Sequence, residues 1–569
     1  MKRSLLRAVL IALLIPTLAG CAPYTTPPVE PTLTPPPTPF PADVPALARI
    51  QARGHLVVGI RYDLPPFCAV TDAGSVDGFD LDLGRELARR WLGDPAAVQF
   101  RQVRSDTAAD HLRAGEVDLV LAALVHTQPL EEQVDFGPTY FWDGHAILVR
   151  AGDAVSITAP GDLVGRSVAV AEDSGVEDML LGMGVPSSTI QVHATFDQAV
   201  TAFDQRQVEA VSDLRHRLVR TLTTRPDTLI VGQYTSAPVA AAYAPNQPGL
   251  GDLIRFTFWD MFSDGTFATL YARWFPGDPV PTFQIPPGAG SLTLPEAAAV
   301  PAAPNTIAAI QSGGWVRVAM VTDRAPFTYV DANGIPTGYE VQLVQAMVEQ
   351  WVGDRTAVEF IPVSIEQGLG MVARSEVDML IGAVSHTRDA EMLVDFGPTV
   401  YVGGQGLMVL AGSAPEGIAG LNGQSVAAIS GTNSADVLRR VGQDAGISVV
   451  VLPKASLDEA IAALLAGEVI AIVGERVTML GPAYATPGLG VTADRLTQRP
   501  LAFALPPGDS AFQDLVGLTL QAMAIDGRLE AIYTAWFDDA PPQIEPWPGE
   551  PVYPLRIEVT APYTATLAP

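Results

Sequence analysis

Apolar positions along this chain follow two periods, and each period predicts an element. Leu56-Val57-Val58-Gly59-Ile60 is a short continuous apolar run followed by the turn-forming pair Pro65-Pro66, which predicts a buried strand. In the stretch GFDLDLGRELARRW that follows, Phe79, Leu83, Leu87 and Trp91 recur at helical spacing. Asp80 and Asp82 stand at its start, where the helix dipole favours acids. Val117-Asp118-Leu119-Val120-Leu121 predicts a second strand. Further on, GYEVQLVQAMVEQW carries the same stripe in Tyr339, Leu343, Met347 and Trp351, and Val377-Asp378-Met379-Leu380-Ile381 repeats the strand. Apolar strands alternating with amphipathic helices imply α/β layers around a largely parallel sheet.

These likenesses keep a constant register. Pro66-Phe67 returns as Pro326-Phe327, Trp91-Leu92-Gly93-Asp94 as Trp351-Val352-Gly353-Asp354, and Asp135-Phe136-Gly137-Pro138-Thr139 as Asp395-Phe396-Gly397-Pro398-Thr399. Each pair is separated by 260 positions (326−66, 351−91, 395−135), a period too long for a solenoid and fit for a duplicated domain. Beyond Thr139 the shift drifts: Ser167-Val168-Ala169-Val170 answers Ser425-Val426-Ala427-Ala428 at 258, while Asp264-Gly265 and Trp274-Phe275 answer Asp526-Gly527 and Trp536-Phe537 at 262. The expected organisation is a signal segment 1–21, a Pro/Thr-rich tether 22–45, copy one at 46–283, a Pro/Ala/Gly-rich linker 284–304, copy two at 305–539 and a Pro-rich tail 540–569. Each copy, at about 235 residues, is large enough for two lobes.

Composition narrows the function. With 48% hydrophobic and 17% charged residues the chain is globular, and a net charge of −28 excludes nucleic acid and docking on anionic lipid, which need basic surface. Lys2, Arg3 and Arg7 precede an apolar run from Ala8 to Leu18 that is short for a membrane span and reads as a secretory signal. Leu18-Ala19-Gly20-Cys21 resembles the lipobox of bacterial lipoproteins, which implies lipidation of Cys21 and an extracytoplasmic chain held to the membrane by its anchor alone. Cys68 then has no disulfide partner and is expected as a small buried residue. The seven histidines are scattered, with His126 and His386 matched by the repeat. No phosphate-binding loop, paired Cys-x-x-Cys or zinc-binding His motif occurs, so neither cofactor nor metal is expected.

Taken in order, Val57-Val58-Gly59…Pro66-Phe67, Gly78-Phe79-Asp80-Leu81-Asp82-Leu83, the Val117-Asp118 strand, Val134-Asp135-Phe136…Tyr140 and Asp264-Gly265-Thr266…Tyr271…Trp274-Phe275 resemble the bacterial extracellular solute-binding proteins of family 3, and the second copy repeats them. The resemblance implies an α/β fold class with two tandem periplasmic-binding-protein-like (type II) domains, each of two lobes joined by hinge strands, with the chain first crossing between lobes near Val149 and Leu410. It also implies capture of a small polar, amino-acid-like solute by lobe closure, presentation to an ABC permease, and no enzymatic step. A sensing or interaction protein without transport, and a cyclohexadienyl-type dehydratase, are the alternatives.

The family's carboxylate-binding Arg, three residues after a Thr, falls on Leu130 after Thr127 and on Ala390 after Thr387, so both copies lack it. Arg388 stands two positions away, about 200° round a helix, and is expected to point elsewhere. In copy two the resemblance carries the ligand site to Asp323, Arg324, Phe327, Ser385, Thr432, Asn433 and Glu475, with Glu475 gripping an amine. In copy one the corresponding set is Asp63, Phe67, Ser174 and Asp213, with Val125 and Leu214 replacing polar groups, and reads as degenerate. Solute binding is therefore expected mainly in copy two.

Overall fold

The computed structural model describes residues 45–281 and 304–544, apart from 72, 223, 414 and 416. Cys21, the signal segment, and nearly all of the tether, linker and tail lie outside the described residues.

Each copy contains two five-stranded sheets with the same strand order. In copy one, the first lobe runs Val98–Gln102, Leu56–Ile60, Leu119–Val120, Ala237–Tyr243, Asp135–Asp143, and the second Ile190–His193, Val168–Ala171, Ala210–Leu214, His145–Arg150, Thr228–Val231. Leu56–Ile60 pairs parallel with both neighbours, while the returning strand Ala237–Tyr243 is antiparallel. Copy two reproduces both sheets, with Val316–Met320 and Arg499–Leu505 in the matching places. The predicted stripes do the packing: the helices Phe79–Leu92 and Tyr339–Val352 bury Phe79, Leu83, Leu87 and Trp91, and Tyr339, Leu343, Met347 and Trp351. Each buried indole still needs an acceptor, and Trp91 and Trp351 donate Nε1–H to Thr257 and Thr519, both at 2.8 Å. Thr519→Val keeps the shape but orphans the Trp351 donor, so stability should fall by about 1–3 kcal/mol in chemical denaturation.

The lobes are joined at a glycine. The first crossing lies at Gly144 and Gly404, between strands Asp135–Asp143 and His145–Arg150 and between Asp395–Gly403 and Gln405–Leu410. That is some residues earlier than Val149 and Leu410, because the apolar run after each glycine already belongs to the second lobe. Gly144 (φ 131°) and Gly404 (φ 114°) lie in a backbone region that side chains strain. Each also abuts the return crossing: a Cβ would meet Thr235 O or Thr497 O at 2.2 Å. The next residue ties the crossings together, His145 N donating to Thr235 Oγ1 (2.7 Å) and Gln405 N to Thr497 Oγ1 (2.8 Å).

Cys68 is fully buried, and burial followed by the nearby charges of Asp80 and Asp77 pushes its thiol up to about 12, so it packs as a small apolar residue. Among the described residues no helix is long and apolar enough to cross a membrane, and no cluster of ligating side chains could hold a metal.

Candidate functional site

The segment leading to the expected solute-binding Ser is set by a buried acid. Glu340, inside the first turn of its helix, accepts from Gly382 N (2.6 Å) and Ala383 N (3.1 Å). Ala383 sits at φ 52°, a strained angle that the two bonds hold in place. The chain then delivers Ser385 to a bridge with Leu501. Asp80 does the same in copy one, accepting from Ala123 N (3.1 Å; φ 46°) and from Tyr140, and Val125 bridges Val239. Burial, partly offset by these hydrogen bonds, pushes both carboxyls up to about 7. These acids are thus more than helix-start charges; Asp82 is too, since it receives Arg273 (2.8 Å) and Trp274 (3.0 Å).

Across the cleft, strand register places Glu475 directly opposite Gln405. Gln405 Nε2 donates to Glu475 Oε1 (2.9 Å) and to Asn433 Oδ1 (3.2 Å), joining two expected ligand residues that are 42 positions apart (475−433). Asn433 is the N-cap of helix Ser434–Asp444, and Thr432 donates Oγ1–H to Ile429 O (2.8 Å) at the same turn. Arg499 closes the set: its Nη2 lies 3.3 Å from Glu475 Oε1. Arg499 opens a first-lobe strand and Glu475 ends a second-lobe strand, so this ion pair spans the hinge. Leu501, the partner of Ser385, is two residues along the same strand. Ser385, Asn433 and Glu475 are therefore brought to one region, with Gln405 and Arg499 added. Arg476, the neighbour of Glu475 in sequence, does not join this set; it is buried against Tyr401 and Asp539.

Other expected positions lie elsewhere. Asp323 is largely exposed and faces Arg324 at 3.5 Å. Phe327 and Phe67 are packed in the aromatic cores, Phe327 against Tyr401 (4.9 Å between ring centres) and Phe67 against Phe141 (5.0 Å), which corrects their placement as ligand contacts. In copy one, Asp63 pairs with Arg61 (2.9 Å). Ser174 donates to Ala171 O (2.6 Å), and Asp213 accepts from its neighbour Leu214 N (2.7 Å). His145 occupies the place of Gln405, contacting Ser174 O (3.1 Å) and Thr235 Oγ1 (3.0 Å), and burial lowers its pKa, which favours a neutral ring. The copy-one polar groups bond chiefly to one another and to backbone. A surface hollow of about 540 Å³ behind the copy-one hinge, bordered by Arg215, Ile230 and Asp278, touches none of these positions.

The missing family Arg is not replaced by Arg388, which leaves the cleft and donates Nη2–H to Asp260 of copy one (2.5 Å). Gln405 and Arg499 escaped sequence reading. A polar residue opening an otherwise apolar strand in both copies, His145 and Gln405, was the available signal.

The sequence profile described as bacterial extracellular solute-binding proteins, family 3, matches residues 56–277 and 316–539. The ABC transporter glutamine-binding protein GlnH of Bacillus subtilis (strain 168) is 26% identical over 235 residues, 41% of this chain and 85% of that protein. The L-cystine-binding protein TcyJ of Escherichia coli (strain K12) is 25% identical over 237 residues, 41% of this chain and 86% of that protein. Among solved structures, an ancestral cationic amino acid solute-binding protein shares 27% identity over 40% of this chain and 99% of its own, with a TM-score of 0.36. The doubled two-lobe architecture is the type II periplasmic-binding fold in tandem.

Proposed function

The chain belongs to the bacterial extracellular solute-binding proteins, family 3, and from that membership we propose that copy two captures a small solute carrying both a carboxylate and an amine, by closing its lobes and without chemical change. The observation that carries this reading is the Arg499–Glu475 pair across the hinge. An incoming zwitterion exchanges one ion pair for two: Arg499 takes the carboxylate that Ala390 cannot bind, and Glu475 takes the amine. Gln405 and Asn433 orient Glu475, and Ser385 adds a hydroxyl from the opposing lobe. The relatives' names, for glutamine and cystine binding, support an amino-acid-like solute.

Copy one lacks the pair, having Leu214 and Ala237 at the corresponding positions, so its affinity for such a solute is lower. Lipidation at Cys21 and delivery to an ABC permease complete the reading. Loss of the family Arg in both copies favours a second one, in which copy two senses its solute without feeding a transporter; solute uptake by cells with and without the protein separates them. Titration calorimetry against an amino-acid panel should show one site, in copy two. Glu475→Gln should weaken it about 30-fold, roughly 2 kcal/mol, and Arg499→Ala should weaken carboxylate-bearing solutes selectively. Unchanged affinity in both variants would overturn the assignment.

A further inference from the structure

The two copies meet along a buried seam with near two-fold internal symmetry. Helices Gln128–Glu131 and Pro248–Ser263 of copy one face Arg388–Glu391 and Ser510–Ile525 of copy two. Ser510 Oγ donates to Asp135 Oδ2 (2.7 Å) and accepts from Asn246 N (2.9 Å), fixing the register. The seam carries two equivalent acid pairs, because Glu131 matches Glu391 (shift 260) and Asp252 matches Asp514 (shift 262).

The two halves are neutralised differently. In one, Arg255 bridges Asp252 (2.5 Å) and Glu391 (2.9 Å) across the seam, His386 bonds Glu391, and Arg388–Asp260 borders it. Burial would raise Glu391, yet His386 and Arg255 outweigh it and hold that carboxyl below its ordinary range. In the other half, the position matching Arg255 is Gly517 (517−255 = 262). There Glu131 of copy one and Asp514 of copy two are both buried, and they lie close enough that each acts on the other's ionisation. His126 Nε2 lies 2.6 Å from Glu131, and half-buried Asp135 and buried Asp509 add to the negative field. Asp395, bonded by Gly508 N (2.8 Å), and buried Tyr243 face the same interior.

We propose that this seam is a proton-operated latch: the Glu131–Asp514 pair forms when the copies dock and holds a proton that the separated surfaces release, so rising pH loosens the docking. Burial first, then repulsion from Asp135 on Glu131 and from Glu131 on Asp514, pushes both carboxyls well above their ordinary range. Asp135, chiefly through burial, is pushed up to about 7. Since the docked state binds the extra proton, the docking constant falls as pH climbs from the ordinary carboxyl range to above neutrality, about tenfold per pH unit for each proton.

The test is hydrogen exchange on the full chain from pH 5 to 7, corrected for intrinsic rates. The opening constant of the 250–262 and 512–523 segments should rise about 100-fold over that interval, a rise that depends on Glu131 and Asp514, whereas any change at strands Leu56–Ile60 and Val316–Met320, which lie with buried Asp80 and Glu340, should not. Glu131→Gln and Asp514→Asn should each lessen the seam's slope, which Asp135, Asp252 and Asp395 share, and Gly517→Arg should do so by supplying the missing cation. A flat opening constant in the unaltered chain, or both neutral variants keeping its slope, would overturn the latch.

Discussion

Gly404→Val should unfold copy two under conditions in which Gly403→Ala is silent. Valine at φ 114° is a strained, β-branched outlier, and its Cβ would be driven to 2.2 Å from Thr497 O, a backbone atom that cannot swing away. Relief requires parting the two lobe crossings, which breaks the Gln405 N–Thr497 Oγ1 bond and shifts Gln405, the donor to Glu475 and Asn433. Strain and overpacking together should cost about 4–6 kcal/mol, enough to lower the thermal midpoint by about 10 °C or more. At Gly403 the same added carbon meets only ordinary contacts of 3.5 Å or longer. Equal melting temperatures for the two variants would show that the crossings move independently, and the hinge assignment would fall.

The hinge also shows where sequence reading stops. The stripes Phe79–Trp91 and Tyr339–Trp351 were legible because periodicity reports burial, and the constant shift of 260 made each copy a check on the other. The crossing that the resemblance implied fell a few residues late because a family likeness carries the lobes over without fixing the residue at which the chain passes between them. Asn433 and Glu475 were expected together through the family pattern and do share Gln405, but Arg499 was not foreseen: its pairing depends on a contact between lobes that have no fixed spacing in sequence. The seam was hidden for a related reason. Asp252 and Arg255 read as ordinary polar interruptions of the helix Pro248–Ser263, and only the docked partner turns Asp252, Glu391 and their counterparts into buried charge. A carboxylate recurring at matched places within two apolar helices, Asp252 and Asp514, was the trace left in sequence.

Glu340 ties the folding of the first lobe to the proposed solute site, and its removal should be felt in both. Glu340→Ala leaves the Gly382 and Ala383 N–H groups buried without an acceptor and opens a cavity beneath a backbone already strained at Ala383. At about 1–3 kcal/mol for each orphaned donor, stability should drop by about 3–6 kcal/mol, and because the freed segment delivers Ser385, solute affinity in copy two should fall with it. Glu340→Gln separates shape from charge, since it keeps an acceptor for that backbone but cannot ionise. Burial raises the folded-state carboxyl from its ordinary value of 4.5 to about 7, so the folded state binds the extra proton. Its contribution is complete below pH 4.5 and declines as pH rises toward 7, by about 3 kcal/mol across the interval. Chemical denaturation of both chains from pH 4.5 to 8 should therefore show the unaltered protein losing stability relative to Glu340→Gln by that amount, with no further divergence above pH 7. Parallel profiles would mean that Glu340 is ionised throughout, and the ordering of the 382–385 segment would then rest on a carboxylate rather than on a buried acid.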